Sequence, residues 1–278
     1  MLTIPQTLNV QAETAISKAS GLRSPGRFLI SGMLAGAYIG IGVVLMVSAA
    51  GPLLAAGDGF AKLVSGLVFS AALTIVVFAG SDLATSAMMI LPVGALMRSI
   101  SWGQAAGALL FTFLANLVGA GVFALLIVLS DVLVSNPAAG GMLTGLLESK
   151  AHETPIELLV RGILCNVLVC LAIWMGSRVK SDGAKIALIF VAITAFITSG
   201  FEHVVANMTT YWVAVFTSDP NAALPYFAGN MLWVGLGNLV GGALVVGLAY
   251  WVIGGRPRVA NAVDKESLTD PSRQTSSN

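Results

Sequence analysis

Apolar residues fill this chain in runs much longer than the stripe of an amphipathic helix, and the few polar positions inside those runs divide it into elements. A helix that crosses a bilayer needs about 20 mainly apolar residues. The first run goes from Arg27 to Gly51, bracketed by Pro25 and Pro52, with no charge after Arg27. Gly32, Gly36 and Gly40 form a small-residue ridge along it, spacing that lets a second helix approach closely. Asp58 and Lys62 mark a loop, after which the chain stays apolar from Leu63 to Ile100, too far for one straight crossing. The polar patch Gly80-Ser81-Asp82-Leu83-Ala84-Thr85-Ser86 interrupts it at mid-depth and predicts a broken helix, one half ending near Ala79 and the other near Met97.

A third span is predicted over about Gly103–Val134, with Asn116 inside it. The polar stretch Asn136–Thr154 reads as a loop, and a fourth span runs over about Glu157–Met175 with Arg161 in its first turn and Asn166 deeper. Arg178, Lys180 and Lys185 make a basic connector. A fifth run, Ile186–Phe216, breaks at Ser199-Gly200, and a sixth covers about Pro225–Ile253 before Arg256-Pro257-Arg258. The expectation is an all-α polytopic membrane protein of six crossings, the second and fifth discontinuous.

The two halves also echo each other. Asn116-Leu117-Val118-Gly119 recurs as Asn238-Leu239-Val240-Gly241, Gly80-Ser81-Asp82-Leu83 aligns with Gly200-Phe201-Glu202-His203, and Gly32 pairs with Gly162. With three spans in each half the second must insert upside down, so residues 27–135 and 157–253 read as inverted repeats. In such folds the site lies near the midplane, at the discontinuous helices.

Composition agrees with this: 56% of residues are hydrophobic and 10% charged, against about 25% charged in soluble domains. The formal net charge of +1 and the lack of a basic patch interleaved with aromatics speak against a nucleic-acid partner. Basic residues collect on one side, at Lys18, Arg23, Arg27, Arg98, Arg178, Lys180, Lys185, Arg256 and Arg258, which predicts cytoplasmic termini. Residues 1–26 read as a polar cytoplasmic segment, a loose tail or a weakly amphipathic helix over Thr7–Ala19; residues 27–254 are the channel domain and 255–278 a disordered tail. No cleavable signal is evident. Cys165 and Cys170, five apart on one helix, read as small apolar fillers. No nucleotide loop, metal cluster or nucleophile–base–acid set is legible, so neither an enzyme nor a cofactor is expected.

The residue that carries chemistry is His203, beside Glu202 in the second break. Ionisable residues at membrane depth are costly and usually mark a functional path. An imidazole titrates near physiological pH and can donate a hydrogen bond or a proton to a passing anion. A lone core His satisfied by a neighbouring amide is the bland alternative, and the break, the repeat and Glu202 weigh against it. Glu202 and Asp82 are repeat-related carboxylates, read as supports that hydrogen-bond loop backbone or contact a neighbouring protomer. Adjacent helical residues point apart, so Glu202 is expected to face a neighbouring helix rather than the pore. Asn207, like Asn116 and Asn238, reads as a structural amide.

The runs Gly80–Ser86, Gly162-Ile163-Leu164-Cys165-Asn166-Val167-Leu168-Val169-Cys170 and Ser199-Gly200-Phe201-Glu202-His203-Val204-Val205-Ala206-Asn207-Met208 resemble the formate/nitrite transporter family, from Arg27 to Tyr250. The resemblance implies an aquaporin-like protomer with its own pore in a prokaryotic inner membrane, assembled as a homopentamer and passing small monovalent weak-acid anions. Met231-Leu232-Trp233-Val234 and Ala249-Tyr250-Trp251 are more similar to the nitrite branch; Lys150-Ala151-His152-Glu153-Thr154 and Thr85-Ser86 lean to the formate branch. Nitrite is the expected substrate, with formate or hydrosulfide, proton-coupled symport and a neutral-solute channel as alternatives. The resemblance also assigns Thr85 a hydroxyl toward His203 or the anion and lets Asn166 orient the imidazole or meet the substrate. It makes Lys150 an anion-gathering charge. Arg161, read by its position alone, is an interfacial anchor first and a second anion-gathering candidate after that. Phe69, Leu73, Leu83, Val169 and Phe196 become apolar slits around the His. Ala84 stands where formate-type relatives carry a larger aromatic.

Overall fold

The computed structural model describes residues 1–259, and over them the chain is helical, with no strand. The elements are α1 (Ile4–Ser20), α2 (Pro25–Ala55), α3 (Ala61–Ala79), α4 (Ala84–Leu96), α5 (Trp102–Leu129), α6 (Pro137–His152), α7 (Pro155–Arg178), α8 (Asp182–Thr198), α9 (Val204–Phe216) and α10 (Leu224–Val240). The last continues through a π-helical stretch, Gly241–Leu248, into α11 (Ala249–Ile253). By length and composition α2, α3, α5, α7 and the α10–α11 unit can each cross a membrane, whereas α4 and α9, 13 residues each, are too short. Most of the tail expected at 255–278 lies outside the described residues.

Two segments depart from the sequence reading. The N-terminal segment is neither loose nor superficial: α1 starts with a Thr3/Gln6 capping box and buries Leu8, Ala12, Ala15 and Ala19. Those four lie on one helical stripe, but three are alanines, so the stripe carries little hydropathy and is hidden among polar neighbours. It packs on α4, where a side chain at Gly94 would run into Ala15. The stretch 136–154, expected as a loop, forms α6. Asn136 caps it by accepting from the Ala139 N–H, and Ala139, Leu143 and Leu147 form its buried stripe. Gly140, Gly141 and Gly145 dilute that pattern in the sequence.

Both predicted breaks are present and built alike. Gly80 and Gly200 end α3 and α8 in the left-handed region, at φ +74° and +75°. In each, the next N–H reaches back to the last helical turn, Ser81 to the Val76 carbonyl and Phe201 to the Phe196 carbonyl, both at 3.1 Å. This is the usual glycine-terminated helix end. The freed backbone is then taken up by one asparagine at each break. Asn116 accepts from the Ala84 N–H at 2.8 Å and donates to the Gly32 and Asp82 carbonyls at 2.8 Å each. Asn238 accepts from the Val204 N–H at 2.9 Å and donates to the Gly162 and Glu202 carbonyls at 2.8 and 2.9 Å. Each asparagine also needs its glycine to let the backbones approach. A Cβ at Gly36 or Gly119 would strike backbone across the α2–α5 contact, and one at Gly237 or Gly241 would do so across α7–α10.

Asn116 and Asn238 are both fully buried, and removing either amide orphans one N–H and two carbonyls at a cost of about 1–3 kcal/mol per group. Asn116→Leu and Asn238→Leu are each expected to lower the midpoint of thermal unfolding in detergent well below that of the parent. An unchanged midpoint in both would show that the breaks are satisfied some other way.

Candidate functional site

His203 is the N-cap of α9, its Nδ1 accepting the Ala206 N–H at 3.1 Å. Its Nε2 lies 3.0 Å from the Thr85 hydroxyl. With Nδ1 accepting, the neutral ring carries its proton on Nε2 and donates it to Thr85. The Thr85 O–H then remains to donate elsewhere. A second ring proton has only Nδ1 to go to, where it would meet the N–H that Nδ1 now accepts. Thr85 is the second residue of α4, so the N-termini of α4 and α9 converge on one point. Each brings the positive end of a helix dipole, a setting that favours an anion without a formal charge.

Apolar walls enclose this pair. The His203 ring stacks on Phe196 with centroids 5.9 Å apart, and Phe196 meets Phe69 edge to face at 6.0 Å. Leu73, Leu83 and Val169 are buried in the same core. A cavity of about 220 Å³ reaches His203 from the α6 side, between Phe69, Phe196, Met46 and Lys150. Another of about 230 Å³ lies at the opposite ends of α3, α7 and α8, lined by Val77, Ala172 and Lys185. Phe69, Phe196 and His203 line the first of these cavities, and Leu73, Leu83, Val169 and Thr85 are buried.

The structure corrects four expectations about the polar residues. Lys150 is not a free vestibule charge, because its ammonium is ion-paired to Glu202 and 10% exposed. Its position at the end of α6, absent from the sequence reading, brings it there. Glu202 faces a neighbouring helix, α6, as expected, but it is not turned from the cavity that reaches His203. The segment 201–203 is non-helical, so helical spacing does not apply, and both residues line the same cavity. Glu202 bonds side chains rather than loop backbone: Lys150 on one oxygen and Asn207 Nδ2 on the other at 2.6 Å. Asp82, its counterpart, is likewise held by side chains, Lys18 at 2.6 Å and Ser31 Oγ at 2.7 Å. Asn166 does not touch the imidazole, whose two nitrogens are already taken; it donates to the Thr85 carbonyl at 3.1 Å and the Asn238 carbonyl at 2.6 Å. It thus holds the backbone that presents Thr85.

Asn207 also donates to Asn230 Oδ1 at 2.8 Å, a residue of α10 that no sequence signal singled out. The ion pair of Arg161 with Glu153 was missed too. Its signal was available: Thr154 and Glu157 form a capping box that starts α7, which places Glu153 just outside the helix and Arg161 two turns in. Together with Lys62, Lys150 and Glu202, this pair lines a polar chamber of about 440 Å³ on the α6 side.

Residues 5–252 match the family model described as Formate/nitrite transporter. The chain belongs to the formate/nitrite transporter family. It is 34% identical over 272 residues to "Formate channel FocA" of Escherichia coli (strain K12), covering 91% of this chain and 94% of that one. It is 39% identical over 229 residues to "Nitrite transporter NirC" of the same organism, covering 82% and 84%. A solved "FNT family ion channel" superposes with a TM-score of 0.81 at 36% identity, over 89% of this chain and 98% of that one. A "Pentameric formate channel with formate bound" gives 0.72 at 26% identity, over 83% and 98%. The protein is accordingly a multi-pass membrane transporter and not an enzyme.

Outside the spans, burial and then the nearby Glu202 carboxylate hold Glu153 above the usual carboxylate range, against the pull of Lys150 and Arg161. A raised acid favours its protonated form in the folded state. Its contribution to stability is therefore complete below the ordinary value of 4.5 and is lost as pH rises through the elevated one. Glu153→Gln is expected to gain thermal stability relative to the parent as pH is raised from about 4.5 toward neutrality. A difference that stays flat with pH, or falls, would contradict the buried, raised carboxyl.

Proposed function

We propose that the chain is a channel for small monovalent anions of weak acids, nitrite first and formate second. It would sit in a prokaryotic cytoplasmic membrane with both termini inside. The observation that carries this reading is the buried His203–Thr85 donor pair at the meeting N-termini of α4 and α9, enclosed by apolar side chains. An unpaired anion in an apolar constriction faces a desolvation cost of order tens of kcal/mol. Here Nε2–H, the Thr85 O–H and two helix ends offset it. His203 then either passes a proton to the anion or holds positive charge beside it, and both routes require Nδ1 to give up its cap on Ala206. Phe69, Phe196, Leu73, Leu83 and Val169 strip hydrated ions, as apolar constrictions do. Asn166, Asn207, Glu202 and Asp82 support the two breaks.

The matching hydrogen bonds of Asn116 and Asn238 support two inverted repeats. With α3–α4 and α8–α9 each counted as one broken crossing, they give six crossings in an aquaporin-like protomer. Similarity to the pentameric formate channel supports a homopentamer in the lipid bilayer. Similarity to both the formate channel and the nitrite transporter supports either anion, whereas hydrosulfide draws no support from them. Ala84, small and fully buried beside Leu83, stands where formate-type relatives carry a larger aromatic, which makes nitrite the first substrate to test.

Proteoliposomes are the measurement. The parent is expected to take up nitrite and formate faster at pH 5.5 than at pH 7.5, and His203→Asn to remove that pH dependence together with about nine tenths or more of the flux, a loss of at least 1.4 kcal/mol at the barrier. Unchanged pH-dependent uptake in His203→Asn, or water and glycerol permeation without anion flux, would overturn the reading. Flux with and without an imposed pH gradient separates a channel from a proton-coupled symporter.

A further inference from the structure

We propose that Arg161 is an anion-capture residue of the polar chamber, and that the Glu153 carboxylate seated on it is an internal stand-in for the transported anion. The inference rests on the anion-channel reading and adds to it a capture site and its regulation.

The geometry begins with what the guanidinium holds. Arg161 Nη1 donates to Glu153 Oε1 in an ion pair whose acidic side chain is 8% exposed and whose basic one is 40% exposed. The arginine is thus partly exposed and lines the chamber while its Nη1 is taken by a planar two-oxygen anion. Nitrite and formate are also planar anions with two oxygen acceptors, the shape that a guanidinium recognises best. Glu153 is poorly held otherwise: its second oxygen is buried with no partner. A carboxylate bound through one oxygen, with the other unsatisfied, is a weaker competitor than an anion that can use both.

The position suits a first stop on the way to His203. Arg161 lines the polar chamber with Lys62, Lys150, Glu153, Ser199, Gly200 and Glu202. That chamber shares Lys62, Lys150, Gly200, Phe201 and Glu202 with the cavity that ends at His203. Among the charges facing Glu153, Lys150 is occupied by Glu202, which also repels Glu153, and Glu157 is engaged at its own helix start by Thr154. Lys62 forms no ion pair among the described residues and leaves the chamber with an uncompensated positive charge. Arg161 is thus the chamber cation whose partner can be exchanged without breaking the Lys150–Glu202 support of the second break.

Exchange is linked to acidity. While Glu153 is ionised it competes with the substrate for Arg161. Once it takes a proton, the competitor loses its charge and the guanidinium is open to nitrite or formate. Capture should therefore tighten as the outer medium acidifies, independently of what His203 does.

The test is the concentration dependence of nitrite and formate uptake into proteoliposomes between pH 5 and 7.5. Arg161→Gln is expected to raise the half-saturating concentration about fivefold, within the range for losing one exposed charge-assisted hydrogen bond, and to change maximal flux less than that. Arg161→Lys should recover only part of the affinity, since an ammonium lacks the fork. Glu153→Gln should lower the half-saturating concentration at pH 7.5 to the value the parent reaches only at pH 5, and flatten its pH profile. The inference is overturned if Arg161→Gln leaves that concentration unchanged across the range, or if Glu153→Gln raises it. If Arg161→Gln does not fold, the Glu153→Gln profile decides alone. Loss of maximal flux on His203 substitution with no affinity change at Arg161 would refute this capture site and leave the channel reading intact; absence of anion flux in the parent would refute both.

Discussion

At membrane depth the backbone has no water to bond, and a helix that stops there must find every partner inside the protein. This chain stops two apolar helices, after Gly80 and after Gly200, within runs too long and apolar for an ordinary loop. The rest of the structure depends on how those two ends are satisfied. One buried asparagine serves each break, pinning the first N–H of the following half-helix and two carbonyls around it. Because each asparagine comes from a long neighbouring helix, its reach requires close α2–α5 and α7–α10 contacts, and the glycines of those helices make the contacts possible.

Once the breaks are fixed, the electrostatics of the centre follow. The half-helices α4 and α9 begin where the others end, so two positive backbone ends point at the space shared by Thr85 and His203. His203 supports this twice over, capping α9 through Nδ1 while turning Nε2 to Thr85. The centre can thus receive an anion through dipoles and neutral donors, without a permanent buried charge whose desolvation would have to be offset.

The formal charges beside the centre are present in compensated form. Lys18 holds Asp82 and Lys150 holds Glu202, each tying a peripheral helix, α1 or α6, to the loop of one break. These carboxylates are costly where they sit and are tolerated because each has a cation and a further hydrogen bond, from Ser31 or Asn207. The Arg161–Glu153 pair differs, since one carboxylate oxygen is left unsatisfied and the partly exposed arginine lines the polar chamber.

Long apolar runs, their two polar interruptions and the recurrence of Gly32, Gly80 and Asn116 as Gly162, Gly200 and Asn238 were enough to read the helical membrane class, the breaks and His203 directly from the residues. Those features are local, or periodic along the chain, and bilayer thickness turns them into structure almost without choice. The burial of α1, one of two readings of its segment, and the whole of α6 escaped that reading because their buried stripes are mostly alanine, or diluted by glycine, and become apolar faces only when a groove is present to receive them. The partners of Lys150, Asn166 and Asp82 escaped it as well. A charge or amide in a sequence states what it can bond, but which group stands opposite is set by helices arriving from distant parts of the chain. His203 was therefore determined by sequence as a costly residue at a break; that its two nitrogens are divided between a helix cap and Thr85 was decided only by the fold, which brings residues 118 positions apart to within 3.0 Å.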